Sequence, residues 1–347
     1  MKHFFQITTL FIIFSSIFLT DQLLATSLKK VDSLKRIIES SSYQDTIKLN
    51  ALNQLSNNYR KLGKYEKGIK YAKKAVKLGE KLEELNKKAL VNKGKSGISS
   101  AYNNIGVIYE KRAEYTNALK YHYKSLKIEK ELDNKNGMAI SYNNLGIIFH
   151  RQGNYSKALK YYLNAVKIDK ELGNKRGLAA SYNNIGIIYH KQKRFDKALK
   201  FYRKSIDIER ELGRELGIAN TFTNIGTIYK EREEYVRAMD ELYNAYEIFK
   251  KQNNQRGIAT VLNSLGSLLT SVFSTNESTK KEVKKWLLRN NEIGVKKGIK
   301  GGLMHYAKRY HKKALKIGKK TSNDNILLYA YKGFAKLYSN KGEYQNS

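Results

Sequence analysis

The chain has 347 residues, with 66 Lys and Arg against 31 Asp and Glu (net charge +35), and contains no Cys and no Pro. Without Cys it can form no disulfide, thiolate nucleophile, thiolate metal site or lipidated cysteine, and without Pro its helices run unbroken. A cationic surplus of this size suits an anionic partner, yet the lysines are spread through the chain as fillers of solvated helix faces, not gathered into one block or stripe.

The N-terminus reads as an export signal. Lys2 and His3 form a short basic start, Phe4 to Leu19 is a mostly apolar run, and small residues follow at Ala25, Thr26 and Ser27. The run is shorter than the roughly 20 apolar residues of a spanning helix, so cleavage after Ser27 is expected. Left uncleaved, it would anchor the chain. Residues 28–49, with Val31, Leu34, Ile37 and Ile38 at helical spacing, read as an N-terminal capping helix.

From residue 50 to 270 one pattern keeps returning. Gly106, Gly146, Gly186, Gly226 and Gly266 stand forty residues apart, inside related stretches such as Ser141-Tyr-Asn-Asn-Leu-Gly146 and Ser181-Tyr-Asn-Asn-Ile-Gly186. Self-similarity at such a period predicts a stacked-repeat solenoid. In the unit around Gly146, Tyr142, Leu145, Gly146 and Phe149 share one face of a first helix. Ala158, Tyr162, Ala165 and Val166 share a face of a second, and Arg151 to Asn154 is the turn between them. Gly173 is placed to end a helix in the left-handed conformation. Gly97, Gly137, Gly177, Gly217 and Gly257 read as a second glycine row in the loops. In the first unit Ser56 replaces the glycine, fifty residues before Gly106; the surplus is expected in Leu85 to Ser96, as an extension of the second helix or its loop.

Residues 271–347 read as degenerate repeats. Ser271 to Ser278 shows no helical period, and Gly294, Gly298, Gly301 and Gly302 crowd together. A second-helix pattern returns at Ala307, Tyr310, Ala314 and Ile317, and a first-helix pattern at Tyr331, Ala335 and Tyr338. The expectation is a unit left half-built, its covering helix supplied by a longer gene product or by a partner.

Around each glycine the residue types also recur. A large residue lies four before it (Tyr102, Tyr142, Tyr182, Phe222) and aromatics three and nine after it (Tyr109 and Tyr115, Phe149 and Tyr155). Small residues lie twelve and nineteen after it (Ala118 and Ser125, Ala158 and Ala165). Over residues 50–344 this pattern resembles the tetratricopeptide repeat. The forty-residue period, against the usual 34, is similar to the repeats of kinesin light chains and bacterial peptide-sensing regulators. The resemblance implies an all-α fold, a right-handed superhelical solenoid of antiparallel helix pairs whose first helices line a concave groove.

Two rows of amides stand out on those first helices. Asn103, Asn143, Asn183 and Asn263 lie three before the glycine, with Thr223 interposed, and Asn104, Asn144, Asn184 and Asn224 two before, followed by Ser264. Asn is an indifferent helix former, while a primary amide offers the donor and acceptor that a peptide bond needs. Helices packed about 8–10 Å apart would space such amides by about three residues of extended peptide, at roughly 3.3 Å each. The rows are therefore candidate peptide-binding residues, the outer one above all, and the alternative, which suits the row nearest the glycine, is that they satisfy loop or inter-helix hydrogen bonds. His150 and His190, each four after a glycine, lack a third ligand for a metal. Gly94-Lys95-Ser96 has neither the first glycine nor the strand of a phosphate-binding loop.

No catalytic constellation is present, and no cofactor or metal is implied. The expected function is that of a non-catalytic, exported scaffold, periplasmic or secreted, holding a peptide or protein segment in its groove. Two alternatives stand: the sensing half of a larger signalling protein, with membrane attachment through an uncleaved N-terminus or a further C-terminal segment, and a binder of anionic polymers. Export argues against intracellular nucleic acid as the partner.

Overall fold

The computed structural model describes residues 29–290, 302–321 and 323–341. The apolar leader, the segment carrying Gly294, Gly298 and Gly301, and the residues after Lys341 lie outside this range. Every element among the described residues is a helix. They fall into two compact units, residues 1–173 and 174–347.

The first unit holds α1 (29–39), α2 (Asp45–Lys61), α3 (Tyr65–Glu84), α4 (Lys88–Lys111), α5 (Tyr115–Glu131), α6 (Lys135–Arg151) and α7 (Tyr155–Glu171). Helix α1 places Val31 and Leu34 against Ala51, Leu55 and Tyr59 of α2. The capping element is thus a helix and a turn, and α2 already begins at Asp45. Helices α2/α3, α4/α5 and α6/α7 form antiparallel pairs through three-residue turns. The ten-residue surplus is not a loop and lies mostly outside the second helix. Against the 17-residue helices α5 and α6, α3 is three residues longer and α4 seven. The two lengthened helices cross closely: a Cβ on Gly94 would lie 2.6 Å from the Gly79 carbonyl oxygen. Gly94-Lys95-Ser96 is therefore helix interior, and Lys95 pairs with Glu131 at 2.7 Å.

The second unit holds α8 (Lys175–Lys191), α9 (Phe195–Glu211), α10 (Glu215–Glu231), α11 (Tyr235–Lys251), α12 (Gln255–Val272), α13 (Glu277–Arg289), α14 (Leu303–Lys320) and α15 (Asp324–Lys341). Pairs α8/α9 and α10/α11 follow the regular plan. The sequence pattern does not announce α13. It is a lysine-rich helix with one short apolar patch, Val283, Trp286 and Leu287, buried against the core. Its indole Nε1–H donates to Asp240 of α11 at 2.7 Å, and its ring meets Tyr243 edge-on. The second helix paired with α12 is α14, and α15 packs on both.

One joint repeats in the pairs α4/α5, α6/α7 and α8/α9. The period glycine faces the second helix, and a Cβ there would fall within 2.7 Å of the Tyr162 ring at Gly146, the Tyr202 ring at Gly186 and the His122 ring at Gly106. Beside it, an aromatic of the second helix inserts between two of the first. Tyr121 stacks on Tyr109 with centroids 5.6 Å apart and meets Tyr102 at 5.8 Å; Tyr161 treats Phe149 and Tyr142 alike, and Phe201 does so with Tyr189 and Tyr182. Stacking of this kind adds about 0.5–1.5 kcal/mol per pair beyond area burial.

The second glycine row is not in the loops. Gly137, Gly217 and Gly257 sit in the first turn of α6, α10 and α12, where a Cβ would overlap Glu129, Glu209 and Phe249 at the end of the preceding helix. Asn134 and Asn254 cap those turns by accepting from the Gly137 and Gly257 N–H groups, as N-cap side chains do. Gly173 ends α7 at φ +64°, the left-handed conformation expected of it.

Candidate functional site

The face of each first helix turned away from its partner is an ordered strip. On α6 it runs Ile140, Asn143, Asn144, Ile147 and Arg151, with Ile140 55% exposed, the three middle residues half-buried and Arg151 exposed. The corresponding strip on α10 is Asn220, Thr223, Asn224, Thr227 and Glu231. Second helices cover the opposite side, so these strips face solvent.

The two amide rows divide the work. In the first unit the inner Asn144 donates its Nδ2–H to Oδ1 of the outer Asn103 at 2.7 Å. In the second unit Asn224 donates to Asn183 at 3.3 Å. Asn104 donates to the backbone oxygen of Asn53 at 3.2 Å. At these three places, within a unit, the inner row thus ties a first helix to the one before it, the inter-helix role left open by the sequence. The outer amides of Asn103 and Asn183 accept through oxygen, and their NH2 groups have no partner among the described residues. Both are half-buried, each with two donors turned to solvent. Asn143 and Asn184 sit half-buried at the equivalent places.

Asn263 is placed differently. It is 8% exposed, its Nδ2–H points to the Ile326 backbone oxygen of α15 at 3.4 Å, and its Oδ1 lies 3.2 Å from Nδ1 of His311. Helix α15 lies over it, so it does not line an open strip. Asn53, in the same row on α2, is also buried and donates to the Gly97 carbonyl. The outer row is open only at its middle members.

Four residues after the glycine the strips carry Glu110, His150, His190 and Lys230. Glu110 reaches Arg151 on the next first helix at 3.9 Å. His190 meets Glu231 at 3.1 Å; burial pulls the imidazole below its usual range against the opposing pull of that carboxylate. Lys230 is also displaced. Its ammonium donates to Ser267 Oγ at 2.6 Å, and burial, with Lys336 adding to it, brings the group down to about 8.

Sequence reasoning passed over the buried carboxylates that end the second helices. Glu129 accepts from Ser99 Oγ at 2.5 Å and from Asn134 Nδ2 at 2.7 Å, and Glu209 lies 3.4 Å from Arg214 Nε. These groups fasten one pair to the next and do not reach the strips. At the mouth of the pairs Lys95–Glu131, Lys135–Glu171 and Lys175–Glu211 bridge first helix to second; in α10/α11 the same bridge is made with the signs exchanged, Glu215–Lys251.

Family models described as tetratricopeptide repeat match residues 49–81, 97–171, 138–211 and 177–251. No curated protein matches the sequence. Among solved structures the chain is similar to BtubC from P. vanneervenii, at 21% identity and TM-score 0.55 over 67% of this chain and 92% of that one. It is similar to aspartyl phosphate phosphatase F from Bacillus subtilis, at 13% identity and TM-score 0.56 over 86% and 72%. It is also similar to a signal transduction ATPase with a tetratricopeptide repeat sensor from Pyrococcus horikoshii, at 18% identity and TM-score 0.59 over 79% of this chain and 41% of the other. Identities this low establish the fold alone, whereas the repeat models span more than half of the sequence. The glycine joints, the paired helices and these matches agree: the chain belongs to the tetratricopeptide repeat family.

Proposed function

We propose that this protein is a non-catalytic scaffold that holds an extended peptide or protein segment along the solvent-facing strips of its first helices. The observation that carries the reading is the unpartnered NH2 of Asn103 and of Asn183, each held in place through its own oxygen by the inner amide of the next helix. A donor fixed in this way loses little freedom on meeting a peptide carbonyl, which lowers the cost of binding. Ile140 and Ile147 beside the amides offer apolar contact for side chains of the bound segment. The leader-like residues 1–27 support an exported location for this activity; fractionation of the expressed chain tests that part separately.

Replacing Asn103 and Asn183 with Asp keeps the oxygen that the inner row needs and removes the NH2 donors. Peptides selected from a display library against the native chain should bind the double variant at least tenfold more weakly, with an unchanged melting curve. Equal affinity for both proteins would refute the assignment.

A further inference from the structure

The cations of this chain are not evenly spread after all. Helix α14 carries Lys308, Arg309, Lys312, Lys313, Lys316, Lys319 and Lys320 and no acidic residue. At 3.6 residues per turn, all but Lys308 fall within roughly 120° of one another about the helix axis. The opposite side is committed to the core through Tyr310, His311, Ala314 and Gly318, with His311 against Gly266 of α12. Lys312, Lys316, Lys319 and Lys320 are exposed, and Arg309 and Lys313 are half-buried. A shallow groove of about 490 Å³ runs along the row, and Leu315 is its one apolar lining residue.

Five cations of this row are also unneutralised among the described residues. In the regular pairs, lysines at the helix ends meet carboxylates, as in Lys135–Glu171 and Lys175–Glu211. Arg309, Lys312, Lys316, Lys319 and Lys320 make no ion pair among the described residues. Like charges three and four apart on a helix repel. The row persists because the buried side of α14 holds the helix in place, and an anionic partner would relieve it.

The spacing narrows the partner. Positions 309, 312 and 313 recur as 316, 319 and 320, a seven-residue repeat of the kind by which one helix packs along another. A membrane surface fits poorly, because the apolar side of α14 is turned into the fold and cannot insert. Single-stranded nucleic acid wants aromatic platforms for its bases, and the row has none. We propose that this face of α14 is a docking surface for an acidic α-helix of a protein partner, with Asp or Glu at three- and four-residue spacing. It is separate from the amide strips and does not depend on them.

The test uses the full chain and four probes at physiological salt. These are a 21-residue helical peptide with Glu in the matching seven-residue pattern, a peptide of the same composition with the Glu positions shuffled around the helix, a 20-base-pair DNA duplex, and vesicles rich in phosphatidylglycerol. The patterned peptide should bind at least tenfold more tightly than the shuffled one. Lys312→Glu with Lys316→Glu and Lys319→Glu should weaken it tenfold or more. Exposed Lys120→Glu, Lys160→Glu and Lys200→Glu on α5, α7 and α9 should change it less than twofold. Equal binding of the two peptides, equal loss in both triple variants, tighter binding of DNA or vesicles, or no binding at all would each overturn the proposal.

Discussion

The ring of His122 occupies the space that a Cβ on Gly106 would need, the place held by Tyr162 against Gly146 and by Tyr202 against Gly186. Both ring nitrogens of His122 are buried without a hydrogen-bond partner, and burial lowers its pKa to about 4. His311, against Gly266, is lowered to about 4 by burial and then by Lys230. Above pH 6.5 both residues are neutral whether folded or unfolded, so this part of the stability is intact. As pH falls from 6.5 toward 4 only the unfolded chain gains protons and stability drops, each His contributing a loss of roughly 3 kcal/mol by linkage. Urea titrations between pH 7 and pH 4 should show this fall, and His122→Tyr, which installs the residue of the neighbouring pairs, should remove about half of it.

Glu241 stands where the register of α11 calls for the aromatic supplied by Tyr121, Tyr161 and Phe201 in the other pairs. Its Oε2 is buried without a partner, and burial, with Asp240 adding to it, raises its pKa. A carboxylate whose folded pKa is raised loses stabilising power as pH climbs past the unfolded value. Glu241→Phe should therefore stabilise the protein at pH 7 by about 1–2 kcal/mol, by removing the buried charge and stacking with Phe222 and Tyr229. A thermal melt decides it, and a lower melting temperature would show that the carboxylate has a partner role.

Gly146→Ala should destabilise. The added Cβ would lie 2.6 Å from Cε1 of Tyr162, an overpacking cost of about 1–3 kcal/mol that exceeds the roughly 1 kcal/mol gained in helix propensity. Gly146→Ala with Tyr162→Leu should recover part of the loss, since Leu242 already faces Gly226 in this way. Denaturant midpoints of the single and double variants check it.

Ala113 ends α4 at φ +59°, where Gly153 stands at φ +75° after α6. An L-residue is strained there and glycine is not. Ala113→Gly should raise stability by about 0.5–1 kcal/mol, the reverse of the usual effect of that substitution in a helix, and a denaturant titration measures it.

What could be read from sequence was whatever one residue type alone permits. Only glycine lets the Tyr162 ring approach the backbone of α6, so the period glycines marked every pair. Gly137 was misread because Asn134, three residues before it, looks like a turn signal whether it caps a helix or sits in a loop. Helix α13 went unseen because one apolar turn among lysines has no period of its own, and Trp286 gains its meaning from Asp240, 46 residues away. The row on α14 escaped because a count of lysines does not say which of them share a face. Asn103 and Asn263 look alike along the chain, yet one amide opens to solvent and the other is spent on α15. No local pattern separates them.

The pairing of α12 with α14 across α13 bears on the order of assembly. The other pairs join through turns of three residues, whereas 30 residues separate Val272 from Leu303. Bringing the ends of the longer segment together costs about 2 kcal/mol more in chain entropy. This pair should be the last to close on refolding and the first to open under mild denaturant, leaving the neighbouring hairpins standing.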